Sequence, residues 1–152
     1  MFLRTHLAIT SFFVLLFFQY LQNPLIFVVV SIFATMMPDI DNRFSKIGHY
    51  KLSRIFNFFV RHRGITHSFS FLLIVSLFIF LFFKEILFAF VLGYFLHLLL
   101  DSLTVQGIMP LYPLKRRLRG IIRTGGMIEN LIFVIFLSGN LFLIFTQIYP
   151  IF

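Results

Sequence analysis

Six histidine and aspartate residues have the chemistry to hold a divalent metal ion, although they are scattered along a chain of 152 residues. Imidazole nitrogens and carboxylate oxygens are common metal ligands in proteins. The chain contains no cysteine, so thiolate metal sites and disulfides are excluded, and any metal must be bound through nitrogen and oxygen. The predicted metal ligands are His6, Asp39, Asp41, His67, His97 and Asp101.

His97 and Asp101 form the best-defined pair of these residues. Their i, i+4 spacing puts an imidazole and a carboxylate on one face of a helix, within reach of a single ion. Gly93 lies on the same face and predicts the close approach of a neighbouring helix, and Thr104 continues the face as a hydrogen-bond partner. A purely structural polar pair at a helix end is the alternative.

Asp39 and Asp41 follow Pro38, where the second apolar run is predicted to end. Carboxylates two residues apart diverge on a regular helix, but a distortion caused by the proline could turn both of them toward one ion. Aspartate also caps helices and begins turns, so this pattern is not specific by itself. Asp41 could equally cap the segment that follows.

Residues 61–68 read Arg-His-Arg-Gly-Ile-Thr-His-Ser, which joins two histidines and two arginines to a glycine turn. Thr66 is the predicted N-cap of the third helix, and a helix N-terminus favours anions. A phosphate-bearing substrate could therefore lie between Arg63 and a metal held by His67. The alternative for the arginines is a basic anchor that contacts lipid headgroups.

Three further residues form the predicted catalytic set: Glu129, His62 and Arg63. Glu129 stands in an apolar run, where a bare carboxylate is costly unless it meets a cation or transfers protons. It could be a general base, a further metal ligand or the partner of an arginine. His62 is the second candidate for proton transfer, and Arg63 would bind the anion.

The elements that must position these residues are membrane helices. The chain is 60% hydrophobic and 12% charged, well outside the range of soluble proteins, and its length allows one domain, residues 1–152. We therefore predict an all-α, polytopic transmembrane helical bundle of about five spanning helices. An interfacial helix is expected near residues 51–60 of the first loop. The predicted spans are Leu7–Leu21, Leu25–Met37, Thr66–Phe83, Ile86–Leu103 and Met127–Ile148.

The distribution of charge orients the bundle. The chain has a formal net charge of +8, and all its lysines and arginines except Lys84 fall on one side of the predicted topology. The positive-inside rule therefore predicts a cytoplasmic N-terminus and an external C-terminus. Anionic lipid headgroups of the bilayer are the expected partner of these loops, and no nucleic-acid partner is expected. All the predicted site residues lie at the cytoplasmic ends of the helices.

Taken together, the motifs resemble those of the LexA-associated, inner-membrane-bound metal-dependent hydrolases. The shared pattern comprises His6, Pro-Asp-Ile-Asp at 38–41, His-Arg-Gly-Ile-Thr-His-Ser at 62–68, the His97 and Asp101 pair, and Gly126 followed by Glu129. The resemblance implies a metal-dependent hydrolase of the cytoplasmic membrane. One departure is Gly125-Gly126-Met127, where relatives carry Gly-Ser before the late glutamate.

The leading functional prediction is a membrane-bound hydrolase that uses one or two divalent ions, Zn, Mn or Mg, at the cytoplasmic interface. That location favours a lipid, or a lipid-linked phosphate or ester, as substrate. One alternative is a metal-ion or proton transporter, although the outer halves of the predicted spans are almost wholly apolar. Another is a non-catalytic membrane module with a structural metal site.

Overall fold

The computed structural model describes residues 1–44, 65–114 and 116–148, without the side chains of residues 40–44 and 148. In this part of the chain the fold is all-α, with no strands beyond two isolated bridges, as predicted. The helices are α1 (Leu3–Phe17), α2 (Pro24–Phe44), α3 (Phe69–Phe82), α4 (Lys84–Ser102) and α5 (Met127–Ile148).

Three of the helical segments are long and apolar enough to cross a membrane: Leu3–Tyr20, Lys84–Ser102 and Met127–Gln147. The apolar parts of the other two helices, Pro24–Asp39 and Phe69–Phe82, are shorter. A short apolar helix spans only if it tilts little or if the bilayer thins around it. The bundle is therefore polytopic, with at least three candidate spans in the described ranges, while the predicted interfacial helix near residues 51–60 falls outside them.

The second apolar run ends near Pro38, as predicted, but the proline does not break the helix. The α-helix continues without interruption from Pro24 to Phe44, and Pro38 is fully buried inside it. A proline within a helix removes one backbone hydrogen bond, and membrane helices tolerate this loss where neighbouring groups pack around the proline. Asp39 is therefore carried on a continuous helix rather than on a break.

The N-cap of the third helix lies two residues later than predicted. Ser68, and not Thr66, is the N-cap of α3, because the Ser68 hydroxyl accepts a hydrogen bond of 3.2 Å from the Phe71 backbone N–H. The N–H of Phe69 is satisfied by the carbonyl of Pro110 at 2.9 Å. These bonds hold the segment that carries His67 against the end of the bundle.

Helices α2 and α4 pack closely at Gly93, as the sequence predicts. A Cβ atom added at Gly93 would lie 2.1 Å from the backbone oxygen of Ser31, so no larger side chain fits without separating the helices. The Thr35 hydroxyl lies 2.8 Å from the Ser31 carbonyl oxygen and 3.2 Å from that of Gly93. Small and hydroxyl-bearing residues of this kind bring membrane helices together.

Helix α5 packs against α1 and is joined to it by buried amides. Asn140 donates to the carbonyl of Ala8 at 2.8 Å, and Gln147 donates to that of Leu15 at 2.9 Å. Thr10 on α1 in turn contacts Thr35 on α2 through their hydroxyls at 2.9 Å. Helix α1 is thus fixed between α2 and α5, and this fixes the position of His6.

Candidate metal centre

Five of the six predicted ligands converge at one end of the bundle, although they come from four parts of the chain. Helix α1 supplies one, α2 one, the segment before α3 one, and α4 two. They are His6, Asp39, His67, His97 and Asp101.

The five residues form two overlapping groups, each able to hold a cation. In each group the three ligand atoms lie within 4.8 Å of one another. One group is His6, His97 and Asp101, and the other is Asp39, His67 and His97. Because His97 belongs to both, the groups make up a single centre.

Asp101 links the histidines through both of its carboxylate oxygens. Its Oδ1 lies 3.3 Å from His6 Nε2, and its Oδ2 lies 3.6 Å from His97 Nε2 and 3.7 Å from His67 Nε2. Oδ1 is also 2.6 Å from the amino nitrogen of Met1. The predicted i, i+4 relation between His97 and Asp101 therefore places both residues in the centre.

His6 and His97 are the buried side of the centre. Both side chains are fully shielded from solvent, and their rings stack with centroids 4.2 Å apart and an angle of 13° between planes. Among the described residues none forms a hydrogen bond with any of the four ring nitrogens. A buried polar atom without a partner costs about 1–3 kcal/mol, so a ligand that binds these rings would remove part of that cost.

A divalent metal ion fits the donors that are present. Bonds of about 2.0–2.1 Å from a tetrahedral zinc to its ligands separate neighbouring ligand atoms by roughly 3.3 Å. The ion-pair distances within the centre, 3.3 to 3.7 Å, are close to that separation. Three imidazoles and two carboxylates are also a ligand set that divalent transition metals accept.

His67 has a second contact that orients its ring. Its Nε2 lies 3.6 Å from Asp39 Oδ1, while its Nδ1 lies 3.3 Å from the hydroxyl of Thr66. A metal-binding histidine commonly uses its other ring nitrogen in this way, which fixes the tautomer and the ring plane. Thr66, predicted as a helix cap, instead supports a candidate ligand.

The centre opens toward the side of Asp39. The Asp39 side chain is 28% exposed and that of Asp101 16%, whereas the His6 and His97 side chains are fully buried. The more exposed side of the centre is therefore formed by α2 and the segment before α3, while α1 and α4 form the buried side.

Glu129 lies outside both ligand groups. Its carboxylate is fully buried, and it accepts hydrogen bonds from the Phe2 N–H at 2.6 Å, the Thr5 hydroxyl at 3.0 Å and the Gly125 N–H at 2.7 Å. Among the described residues no arginine pairs with it. Its contacts hold the first turn of α1, on which His6 stands, so they favour an anchoring role. The role of general base stays a prediction.

The remaining predicted site residues cannot be placed. His62 and Arg63 lie outside the described residues, as does the side chain of Asp41. Sequence reasoning in turn missed the contacts of Thr66 and of the Met1 amino group, because no spacing rule connects either of them to Asp101 or His67.

A profile of the YdjM inner membrane protein family matches residues 1–151, nearly the whole chain. The chain belongs to the YdjM inner membrane protein family. This membership, together with the apolar helices, identifies a multi-pass protein of the inner membrane.

One relative of known sequence is the uncharacterized protein YvsG of Bacillus subtilis (strain 168). It is 31% identical to this chain over 121 residues, which are 76% of this chain and 76% of that protein. No solved structure matches the chain.

Proposed function

We propose that this YdjM-family protein is a membrane-bound hydrolase that uses one or two divalent metal ions at the cytoplasmic ends of its helices. Its ligands are His6, Asp39, His67, His97 and Asp101, with Asp41 as a further candidate. The substrate is a lipid, or a lipid-linked phosphate or ester, that reaches the centre from the bilayer interface.

The convergence of the five ligands is the observation that carries this proposal. Buried charges and unpaired imidazoles are expensive inside a membrane protein, and they accumulate where they have a function. In this bundle the Nε2 atoms of His6 and His97 lie 3.3 and 3.6 Å from the Asp101 carboxylate, and neither ring forms a hydrogen bond with a described residue. A cation can bind one nitrogen lone pair of each ring and the carboxylate together.

The ligand types indicate which ions suit the site. Three imidazoles favour Zn, whereas the two carboxylates also suit Mn or Mg, which prefer oxygen ligands. When bound, such an ion supplies Lewis acidity: it polarises a phosphoryl or carbonyl oxygen and makes water a stronger acid. His6, His97 and Asp101 would bind the ion from the inner side, and the side of Asp39 stays open to a substrate.

The proposal also includes Glu129 and His62 as candidates for proton transfer and Arg63 as the candidate for anion binding. His62 and Arg63 precede His67 in the sequence, and Arg63 is the proposed ligand for a phosphate of the substrate. His62 would then accept or return a proton during cleavage.

A direct test uses the purified protein in lipid nanodiscs. Elemental analysis measures the bound metal, and a panel of lipid phosphates and lipid esters measures hydrolysis. We expect Asp101→Asn to lose both bound metal and hydrolysis, because the substitution removes the charge that links the histidines. The matched control is Glu85→Gln, which removes the same charge at the opposite end of α4 and should change neither.

Three results would count against the proposal. Full metal content in Asp101→Asn would show that the ligand assignment is wrong. Metal bound at full content without cleavage of any lipid in the panel would favour a structural site. Uptake of metal into proteoliposomes would point to a transporter, although Asn140 and Gln147, two of the few polar residues in the outer halves, already bond to α1.

A further inference from the structure

The loop between α4 and α5, residues 103–126, is a folded element. Ile108 and Leu118 exchange backbone hydrogen bonds of 3.0 and 2.9 Å, and Val105 donates to the carbonyl of Ile122 at 3.0 Å. Ile108 and Ile122 are buried. The inner side of the loop therefore packs on the end of the helix bundle.

Two glycines make this shape possible. Gly107 has a φ of 65°, in the region that favours glycine, and an added Cβ there would lie 2.1 Å from the carbonyl oxygen of Leu118. An added Cβ at Gly120 would lie 2.1 Å from the carbonyl oxygen of Leu103. The backbones of the two halves of the loop are thus in direct contact. This contact fixes which side chains lie on the outer side of the loop.

The outer side of the loop presents large apolar residues. Ile121 is 84% exposed, and Leu111, Leu114 and Leu118 are each at least half exposed. Ile108 and Ile122 of the same loop are buried, so its apolar residues divide into a buried set and an exposed set. Isolated apolar residues on a surface need no explanation, but several on one short element indicate an apolar environment.

Basic side chains accompany these apolar residues. Arg116, Arg117, Arg119 and Arg123 are all exposed, and the sequence from 102 to 128 contains no aspartate or glutamate. Apolar side chains interleaved with arginines match the boundary of a bilayer, where acyl chains lie below a layer of phosphates. An acidic protein surface would complement the charge but would leave Ile121 without an apolar partner.

The position of the loop supports the same partner. It connects the ends of two candidate membrane spans and is tied to the start of α3 by the bond from Phe69 N–H to the Pro110 carbonyl at 2.9 Å. It therefore stays at the membrane surface, at the end of the bundle where the candidate metal centre lies. Lipid headgroups of that leaflet are the molecules always within its reach.

We propose that the outer side of residues 103–126 is a lipid-binding surface that inserts its apolar residues among acyl chains and binds anionic phospholipid headgroups through its arginines. This surface is separate from the candidate metal centre, and its role does not depend on hydrolysis.

Spin labelling of the full chain in nanodiscs tests the proposal, and the absence of native cysteines means that no residue must first be removed. A label at Ile121→Cys reports depth through its collision rates with oxygen and with a water-soluble nickel chelate. The immersed reference is a label at Leu77→Cys, on the exposed face of α3. Each label is measured in phosphatidylcholine alone and in phosphatidylcholine mixed with phosphatidylglycerol.

In the phosphatidylglycerol discs we expect the label at position 121 to behave like the one at position 77, with high oxygen and low nickel accessibility. Combining Arg117→Gln, Arg119→Gln and Arg123→Gln should abolish this protection, since each arginine near an anionic surface strengthens association by about fivefold. These residues are exposed, so the bundle should stay folded, which the unchanged label at position 77 would verify.

Three outcomes would overturn the proposal. A label at position 121 that is as open to nickel as a free label in water would show that the loop faces solvent. Equal immersion in both lipids and in the triple variant would exclude anionic recognition. Protection that appears only after a soluble cell fraction is added would assign the surface to a protein partner.

Discussion

At the scale of single residues, the carboxylates of Asp101 and Glu129 have different surroundings, which suit different roles. Asp101 faces imidazole rings, which can bind a cation, and an amino group, which is itself a cation. Glu129 faces two backbone N–H groups and a hydroxyl, which only donate hydrogen bonds. The first environment suits a metal ligand, and the second suits an anchor.

The anchoring role of Glu129 leads to a prediction for Glu129→Gln. The amide –NH2 of glutamine would face a backbone N–H donor, which costs about 1–3 kcal/mol of stability. Because Phe2 and Thr5 flank the turn that carries His6, we expect a weaker metal affinity and a changed visible spectrum of bound Co²⁺. Metal titration and absorption spectroscopy of the purified variant measure both.

Gln147→Ala is the matched control for Glu129→Gln, since it removes a side-chain hydrogen bond between the same two helices, to the carbonyl of Leu15, more than two turns from His6. It should lower the thermal stability and leave the Co²⁺ spectrum unchanged. If Glu129→Gln instead binds metal as the wild type does but loses hydrolysis, Glu129 is the general base that the sequence suggests.

At the scale of helices, the contact between α2 and α4 sets the width of the metal centre. Asp39 is on α2 and His97 is on α4, so their separation depends on how closely the two helices approach at Gly93. The obstacle there is backbone, the carbonyl group of Ser31, which cannot move aside alone. A larger residue must therefore push the helices apart.

We predict that Gly93→Ala lowers the free energy of unfolding by roughly 1–3 kcal/mol or more and weakens metal binding. Gly139→Ala on α5 is the matched control, because its nearest obstacle is the Phe12 ring at 2.8 Å, a side chain that can shift. Thermal unfolding and metal titration in nanodiscs compare the two variants. Equal effects of both substitutions would show that the backbone contact has no special importance.

At the scale of the whole molecule, the candidate centre and the arginines of the loop between α4 and α5 lie at one end of the bundle. Lys84 and Glu85 begin α4 at the other end. The positive-inside rule predicts that the end with the candidate centre is cytoplasmic. If α3 and α4 both span the membrane, the turn between them reaches the external side.

Cysteine accessibility in intact cells tests this topology. We expect Glu85→Cys to react with a membrane-impermeant maleimide added outside, and Arg123→Cys to react only after the cells are opened. The chain without introduced cysteines serves as the blank, since it has none. Labelling of Arg123→Cys from outside would reverse the orientation, and failure of Glu85→Cys to react in both conditions would reduce the number of spans.

The sequence was most informative where a property depends on neighbours along the chain. Hydropathy identified every helix in the described ranges, and the bounds of the last one, Met127–Ile148, agree with the prediction. The pair His97 and Asp101 followed from helical spacing, and the close approach at Gly93 followed from residue size. Local rules failed at Pro38 and Thr66, because tertiary packing supports a proline inside α2 and Ser68 makes the better cap.

The sequence by itself determined that this is a membrane protein and that most of its rare acids and histidines lie at one end. The cost of placing a charged side chain in lipid applies to each helix separately, so it can be read from each helix alone. Only the tertiary structure decided which of them meet. Whether Asp39 touches His67, and whether Glu129 joins the centre or holds the start of α1, depends on the rotation and separation of helices far apart in sequence. Contacts such as that between Gly93 and Ser31 set the rotation and separation of the helices. The residue pattern of one helix does not specify which residue of another helix it contacts.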